Sequence, residues 1–316
     1  MAMDKRVLGL FGRQYGLASR AQLTSNGLTD DAIRGRVTAG ILTTVHRGVY
    51  RLAGTAESFH GDCTAVTLTG RGAVISHQSA GRLWGLRQMN HTMLHVTVPH
   101  GRRPLTGDRI KFHRSTVIPV EHTDTRHAGI CVTTVDRTLF DLANALSPER
   151  HESAVEHALR LGLTTIENLA VIGQVMSTRG RPGSRRFIAM IDGRSPERRP
   201  VDSDGELVLE RALMAAGLPR PVRQHTLRIP GGVTIHPDLA WPDVRLAVEF
   251  DHATWHSGVA ASLDDRSRDR GLRAISWDVE RVSDRELRDR RQSVVTEIAR
   301  IYHHRLATLT ALGQLE

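Results

Sequence analysis

The chain predicts a mixed α/β protein built of separate modules, and three observations carry that expectation. Apolar residues at helical spacing, such as Val7, Leu8, Leu10 and Phe11, alternate along the 316 residues with short apolar strand-like runs such as Leu246-Ala247-Val248. The tract Gly193-Arg194-Ser195-Pro196-Glu197-Arg198-Arg199-Pro200 has linker composition. An apolar content of 40% with 24% charged residues is that of a globular chain long enough for two or three cores. The expected parts are residues 1–54, residues 55–193, a linker at 194–202 and residues 203–316.

The first part reads as three helices followed by two short strands. Ser19-Arg20-Ala21-Gln22 is a capping-box start for the second helix, which Gly27 ends. Thr29 caps the third, which runs to about Ala39 before Gly40 closes it. Ile41 to Val45 and Val49 to Leu52 then flank His46-Arg47-Gly48 as a hairpin. A tightly joined helical pair followed by a hairpin is the pattern of a winged helix-turn-helix. Its third helix, with Arg34 and Arg36, would enter the major groove, and a wing carrying His46, Arg47 and Arg51 would touch backbone phosphate. Asp30 and Asp31 suit the dipole of the third helix but repel phosphate, so a winged helix used for protein contact stays open.

Residues 55–193 read as an α/β middle domain. Ser76-His77-Gln78-Ser79-Ala80 opens a helix to Trp84, Met93 to Val98 and Ile110 to His113 are strands, and Thr133 or Thr134 caps a helix ending near Leu146. Three more helical stretches follow. Between the two strands, His100-Gly101-Arg102-Arg103-Pro104 is a basic turn suited to a phosphate backbone.

Residues 203–316 read helix (203–216), strand (222–229), strand (232–240), strand (244–251), helix (259–274), strand (277–282) and closing helices. Gly231-Gly232 turns the first two strands into a hairpin. Pro237-Asp238 puts an acid late in the second strand, and the third closes on Glu249-Phe250-Asp251. Side chains alternate along a strand, so Glu249 and Asp251 share one face, about 6.8 Å apart, while Val248 and Phe250 turn to the core. Carboxylates converging at neighbouring strand ends are the hard-oxygen donors that Mg²⁺ (or Mn²⁺) takes. Such an ion polarises a phosphodiester and generates the water that cleaves it, so these residues imply a metal-dependent nuclease.

Charge supports a polyanionic partner. Residues 201–316 hold 16 Arg and no Lys against 18 acids, a balance of −2, so of the overall +9 the first 200 residues carry +11. A basic front would dock on double-stranded DNA while the rear holds the acids. The opposing explanation is a genome that favours Arg throughout, with 41 Arg and only Lys5 and Lys111 as lysines. Cys63 and Cys131 are too few for a disulfide framework or a Cys-rich zinc site. With no apolar run of membrane-spanning length and no signal peptide, a cytoplasmic protein without a membrane partner is expected. A homodimer stays open.

Two resemblances sharpen this. The segments Ser19-Arg20-Ala21-Gln22-Leu23, "GILTTVHRGVYRL" (40–52), "SHQSAGRLWGL" (76–86) and "VTTVDRTLFDLA" (132–143) resemble the amino-terminal and middle regions of AbiE-type antitoxin proteins. That resemblance implies operator DNA binding by the winged helix. The αβββαβ order of residues 203–316 resembles the PD-(D/E)xK, or restriction-endonuclease-like, core, and more closely the very-short-patch mismatch repair endonucleases. The matching residues are Glu206, Pro237-Asp238, "RLAVEFD" (245–251), Trp255-His256, and Asp265-Arg266 with Arg268. The resemblance implies Asp238 and Glu249 as metal ligands and His256 as the catalytic His.

Asp251 departs from the nuclease pattern, which usually has Lys there, and residues 203–316 contain no Lys to replace it. Either His256 takes over water activation, for which an imidazole is suited, or catalysis has been lost. Asp251 would then serve as a second metal ligand or orient a His. Glu206 lies in Ser203-Asp204-Gly205-Glu206, itself a capping box, so a cap and a metal-site contact compete for it. Arg266 and Arg268 would clamp the scissile phosphate or lie on a solvated helix face. His252 and His256, four apart, would suit zinc only weakly, with no Cys nearby. The expected function is a DNA endonuclease in repair or phage defence; the rival is a non-enzymatic regulator or antitoxin on a degenerate nuclease fold.

Overall fold

The computed structural model describes residues 4–70, 72–89, 92–101, 109–115, 118–125, 127, 129–177, 181–192, 194, 199–251 and 268–314. The fold is mixed α/β, and the chain divides into two compact units, residues 1–193 and 194–316. Among the described residues no helix is long and apolar enough to cross a membrane.

The first unit opens with α1 (Lys5–Arg13), β1 (Leu17–Ser19), α2 (Arg20–Ser25), α3 (Asp30–Thr38), β2 (Leu42–His46) and β3 (Val49–Leu52). The Ser19/Gln22 capping box is formed in full and Thr29 caps α3. The strand β1 lies outside the sequence expectation. It pairs antiparallel with β3, making a three-stranded sheet in the order β1-β3-β2. Three residues between two helices are too short for a period to show, and β1 exists because β3 offers it an edge. Val7, Phe11, Ala18, Leu23, Ile33, Leu42 and Tyr50 close the core beneath that sheet.

The rest of this unit contains α4 (Phe59–Thr67), β4 (Val74–Ile75), α5 (His77–Leu83), β5 (Leu94–Pro99), β6 (Ile110–Ser115), β7 (Thr123–Asp124), β8 (Val132–Thr133), α6 (Val135–Ala145), α7 (Pro148–Arg160), α8 (Ile166–Met176) and α9 (Ser184–Asp192). Its five strands run in the order β6-β5-β4-β8-β7, with β5/β6 and β4/β8 parallel. A helical core of Leu139, Phe140, Leu142, Leu169 and Phe187 joins α6 to α9.

The second unit comprises α10 (Asp204–Ala215), β9 (Val222–Arg223), β10 (Leu227–Ile229), β11 (Val233–Ile235), β12 (Leu239–Trp241), β13 (Leu246–Asp251), α11 (described over 268–274), β14 (Asp278–Ser283), α12 (Asp284–Asp289) and α13 (Arg291–Ala311). The two long strands expected at 222–229 and 232–240 are each broken in the middle. Pro237 has no N–H to donate to a ladder, and Gln224, one register step away opposite Asp238, adopts a left-handed φ of 49°, so the ladder is interrupted between the inner and outer pieces of both strands. The outer pieces form the β10-β11 hairpin, and the inner ones join a sheet in the order β14-β13-β12-β9.

That sheet is filled on both faces. Leu239, Trp241, Leu246, Val248, Phe250 and Val282 pack with residues of α10 and α13, while Ala240 and Ala247 pack with Leu227, Ile229, Leu272 and Trp277. The helix α10 approaches so closely that a Cβ on Gly205 would overlap the Phe250 ring. Arg223 and Glu210 tie β9 to α10 through a bidentate ion pair with each side chain 1% exposed, the Nε bond being 2.8 Å.

Candidate acidic site at the end of strand β13

The site begins with register. Leu239 pairs with Val248 and Ala240 with Ala247 in the antiparallel β12/β13 ladder. Continuing one step sets Asp238 opposite Glu249, on the sheet face that carries Ala240 and Ala247. On the other side of β13 the parallel ladder sets Glu249 beside Arg281 and Asp251 beside Ser283. A proline break and a strand end thus bring together acids that are far apart in sequence.

Each acid is differently engaged. Asp238 is half-buried; its Oδ2 accepts from the Phe250 backbone N–H at 2.7 Å and its Oδ1 from the Gln224 amide at 2.9 Å. These bonds brace the break in β9–β10 against the end of β13. Glu249 is ion-paired with Arg268 of α11 and with Arg281 at 3.4 Å, and Arg281 also holds Asp269 at 2.6 Å. Asp251 is exposed at the strand end.

Glu206 is 2% exposed and serves in the cap of α10. Its Oε1 accepts from the Ser203 hydroxyl at 2.8 Å and its Oε2 from the Asp202 backbone N–H at 3.0 Å, while its own N–H donates to Ser203 Oγ at 3.1 Å. Burial pushes its carboxyl above the usual range; the Asp238 charge adds to this, and the two hydrogen bonds oppose it. Glu206 is therefore both the cap that the motif implies and near enough to feel Asp238.

Among the described residues no group of three His, Cys, Asp or Glu is arranged to hold a metal ion. Mg²⁺, however, keeps most of its waters and needs only one or two carboxylates. Asp238 and Glu249 are the two carboxylates of this face that could hold such an ion, and Glu249 is neutralised by Arg268 and Arg281. His252, Trp255, His256, Asp265 and Arg266 lie outside the described residues.

Two residues of this site escaped sequence reading. Arg281 sits in a strand read only as a continuation of the sheet, and its place beside Glu249 follows from parallel register, which composition does not reveal. Gln224 carried no signal, because its role comes from the break that Pro237 imposes across the ladder.

The basic residues expected to contact DNA in the first unit are distributed unevenly. Arg34 and Arg47 are exposed, although Arg34 pairs with Asp31. Arg36 does not lie on the outer face of α3: it is 8% exposed and its Nη1 donates to the Ala32 carbonyl at 3.0 Å. Arg51 turns back to Glu57 at 2.6 Å and Asp62 at 3.7 Å. With His46, Arg82 and Arg109 it lines a cleft of about 700 Å³. Arg51 lies two residues after Val49, on the face of β3 that packs against Ala65 of α4, whereas Arg47 lies in the turn between β2 and β3. Arg102 and Arg103 lie outside the described residues.

The chain matches no protein-family model. It is 28% identical over 211 residues to two uncharacterized Mycobacterium tuberculosis proteins, MT2308 of strain CDC 1551 / Oshkosh and Rv2248 of strain H37Rv, covering 66% of this chain and 73% of each relative. Among solved structures it is similar to the RV2827C protein of Mycobacterium tuberculosis, with a TM-score of 0.39 and 16% identity over 59% of this chain and 74% of that one.

Proposed function

We propose that this chain acts on duplex DNA, docking through residues 1–54 as a winged helix-turn-helix and hydrolysing a phosphodiester with a carboxy-terminal domain of the PD-(D/E)xK type. The observation that carries the reading is the cross-strand pair Asp238 and Glu249, beside buried Glu206 and at the end of a strand paired parallel to β14. Like charges directly opposite each other destabilise a sheet, so such a pair calls for a cation between or beside them.

In this reading Asp238 and Glu249 hold Mg²⁺ or Mn²⁺. When bound, the ion would polarise the phosphodiester and supply a water nucleophile at neutral pH. The brace from Gln224 and Phe250 keeps the Asp238 carboxylate in one orientation. Arg268 and Arg281 are the cations beside Glu249, and they supply toward a phosphate the positive charge for which the domain has no Lys. His256 would accept the proton of water at a ring nitrogen, with Asp251 orienting it or adding an oxygen ligand.

A second reading has its own support. Glu249 is already neutralised by two arginines and Asp251 stands where the nuclease pattern has Lys, which favours a DNA-binding regulator of the AbiE antitoxin kind on a nuclease-type scaffold. Plasmid nicking with Mg²⁺ or Mn²⁺ against an EDTA control separates the two. Metal-dependent nicks that vanish in Asp238→Asn support the endonuclease. Tight binding of one DNA sequence with no cleavage at neutral pH overturns it in favour of the regulator.

A further inference from the structure

Far from the acidic site in sequence, basic side chains crowd a single carboxylate at the amino-terminal end of α6. Arg137, in the first turn, is 2% exposed, and its Nε donates to both oxygens of Asp141 at 2.9 and 3.0 Å. Its Nη1 is also buried and has no hydrogen-bond partner. His122 is held at the helix cap, because the Thr134 backbone N–H donates to its carbonyl at 3.0 Å. His122 is 8% exposed, and its Nδ1 is likewise buried without a partner. Arg181 lays its guanidinium over the Phe140 ring, 5.4 Å from the centroid.

The electrostatics agree with this geometry. Burial and then the charge of Arg137 lower the basicity of His122 and of Arg181, and the same charge reaches His77. Asp141 is pushed up by burial although Arg137 and Arg181 both oppose the shift. Two guanidinium groups therefore act on one carboxylate, and little water reaches the first of them, Arg137. Arg137 has its carboxylate in Asp141, but a buried N–H left without an acceptor carries a desolvation cost of its own. The positive end of the α6 dipole adds to the imbalance.

We propose that this place in the first unit binds a small tetrahedral oxyanion of the phosphate class, with Arg137 Nη1 and the His122 ring as donors and Arg181 as the second cation. A metal cation would meet the same positive field and be repelled. The burial of Arg137 and His122 excludes the backbone of a duplex, which cannot follow them below the surface, so the ligand is a free phosphate or the phosphate of a small molecule. The donors belong to the cap, the helix and the segment before α9, and several acceptor oxygens on one centre can answer them together.

The test is calorimetric titration of the full chain with inorganic phosphate, with sodium chloride at equal ionic strength as control and adenosine monophosphate as a second ligand. One phosphate should bind per chain, and the melting temperature should rise by about 5 °C at roughly a hundred times the Kd. Arg181→Gln and His122→Asn, which spare the Arg137–Asp141 pair, should each weaken binding by about tenfold or more, the worth of a charge-assisted hydrogen bond. Arg47→Ala, on the exposed hairpin, should leave it unchanged. Tighter binding of adenosine monophosphate would identify a nucleotide ligand, and equal or weaker binding the free anion. No phosphate-specific heat or melting shift in the wild-type chain would mean that water alone satisfies these donors, and the proposal fails. It fails equally if binding persists in Arg181→Gln and His122→Asn or disappears in Arg47→Ala.

Discussion

Replacing Asp238 separates its structural bonds from its charge. In Asp238→Ala the Phe250 N–H and the Gln224 amide lose the acceptors that hold them at 2.7 and 2.9 Å. A hydrogen bond to a charged group is worth about 1.5–3 kcal/mol, less where water can replace it, as at half-exposed Gln224, so the loss should total about 2–4 kcal/mol. For a unit of this size that lowers the melting temperature by about 10 °C. Asp238→Asn behaves differently. Its carbonyl oxygen can still accept from Phe250, and the Gln224 amide can turn over to accept from the new NH₂, so the melting temperature should fall by about 2 °C or less. Both variants lose the negative charge, and both should lose Mg²⁺-dependent thermal stabilisation and nicking by more than the roughly 10–100-fold seen when only a residue supporting a metal ligand is changed. Scanning fluorimetry with Mg²⁺ and with EDTA, run beside the nicking assay, reads both effects. Asp238→Asn nicking at the wild-type rate refutes the metal role, and Asp238→Ala melting with the wild type refutes the brace.

Other outcomes follow from the same geometry. Glu210→Ala leaves the Arg223 guanidinium buried without its carboxylate and should cost the second unit about 3–5 kcal/mol, measured by urea unfolding, whereas a loss below 1 kcal/mol would show that water enters. Burial holds His77 at a pKa of about 2 and His113 and His151 at about 4, all below the unfolded value, so each contributes stability that is complete above about pH 6.5. That contribution is lost as pH falls from about 6.5 to the folded values, about 4 for His113 and His151 and about 2 for His77, by about 2 kcal/mol per imidazole at pH 5 and less for partly exposed His113; a first unit equally stable at pH 7.5 and pH 5 would contradict it. In the DNA-binding reading Arg47→Ala should flatten the salt dependence of binding by about one unit, while Arg51→Ala, whose charge is spent on Glu57 and Asp62, should not. Equal slopes for the two variants would remove the hairpin from the interface.

How much of this was legible depended on whether the signal was local. Helix starts were readable because a cap is written within four residues: Ser19/Gln22, Thr29, Thr134 and Ser203 all stand where the spacing puts them. The strand β1 was not readable, since its existence depends on an edge contributed by β3, some thirty residues away. The same applies to the broken strands of the second unit. Pro237 falls inside the continuous strand expected at 232–240, and the matching break at Gln224 lies across the sheet and has no motif of its own.

The acidic site shows the same limit in its chemistry. Alternation along one strand was enough to set Glu249 and Asp251 on a common face, and the Ser203 motif was enough to tie Glu206 to a cap. Charge balance around Glu249 was not, because it depends on two registers at once. The antiparallel ladder brings Asp238 opposite Glu249, which doubles the negative charge, and the parallel ladder brings Arg281 beside it, which offsets that charge. A lysine-free domain therefore need not lack a cation at the acids, since the guanidinium that composition spreads over the whole chain is delivered there by topology. Arg281, also tied to Asp269, cannot leave Glu249 without straining a second ion pair. Any metal must compete with that anchored cation, so metal affinity in Arg281→Gln is the quantity that measures how far the site is a nuclease centre and how far a closed salt-bridge network.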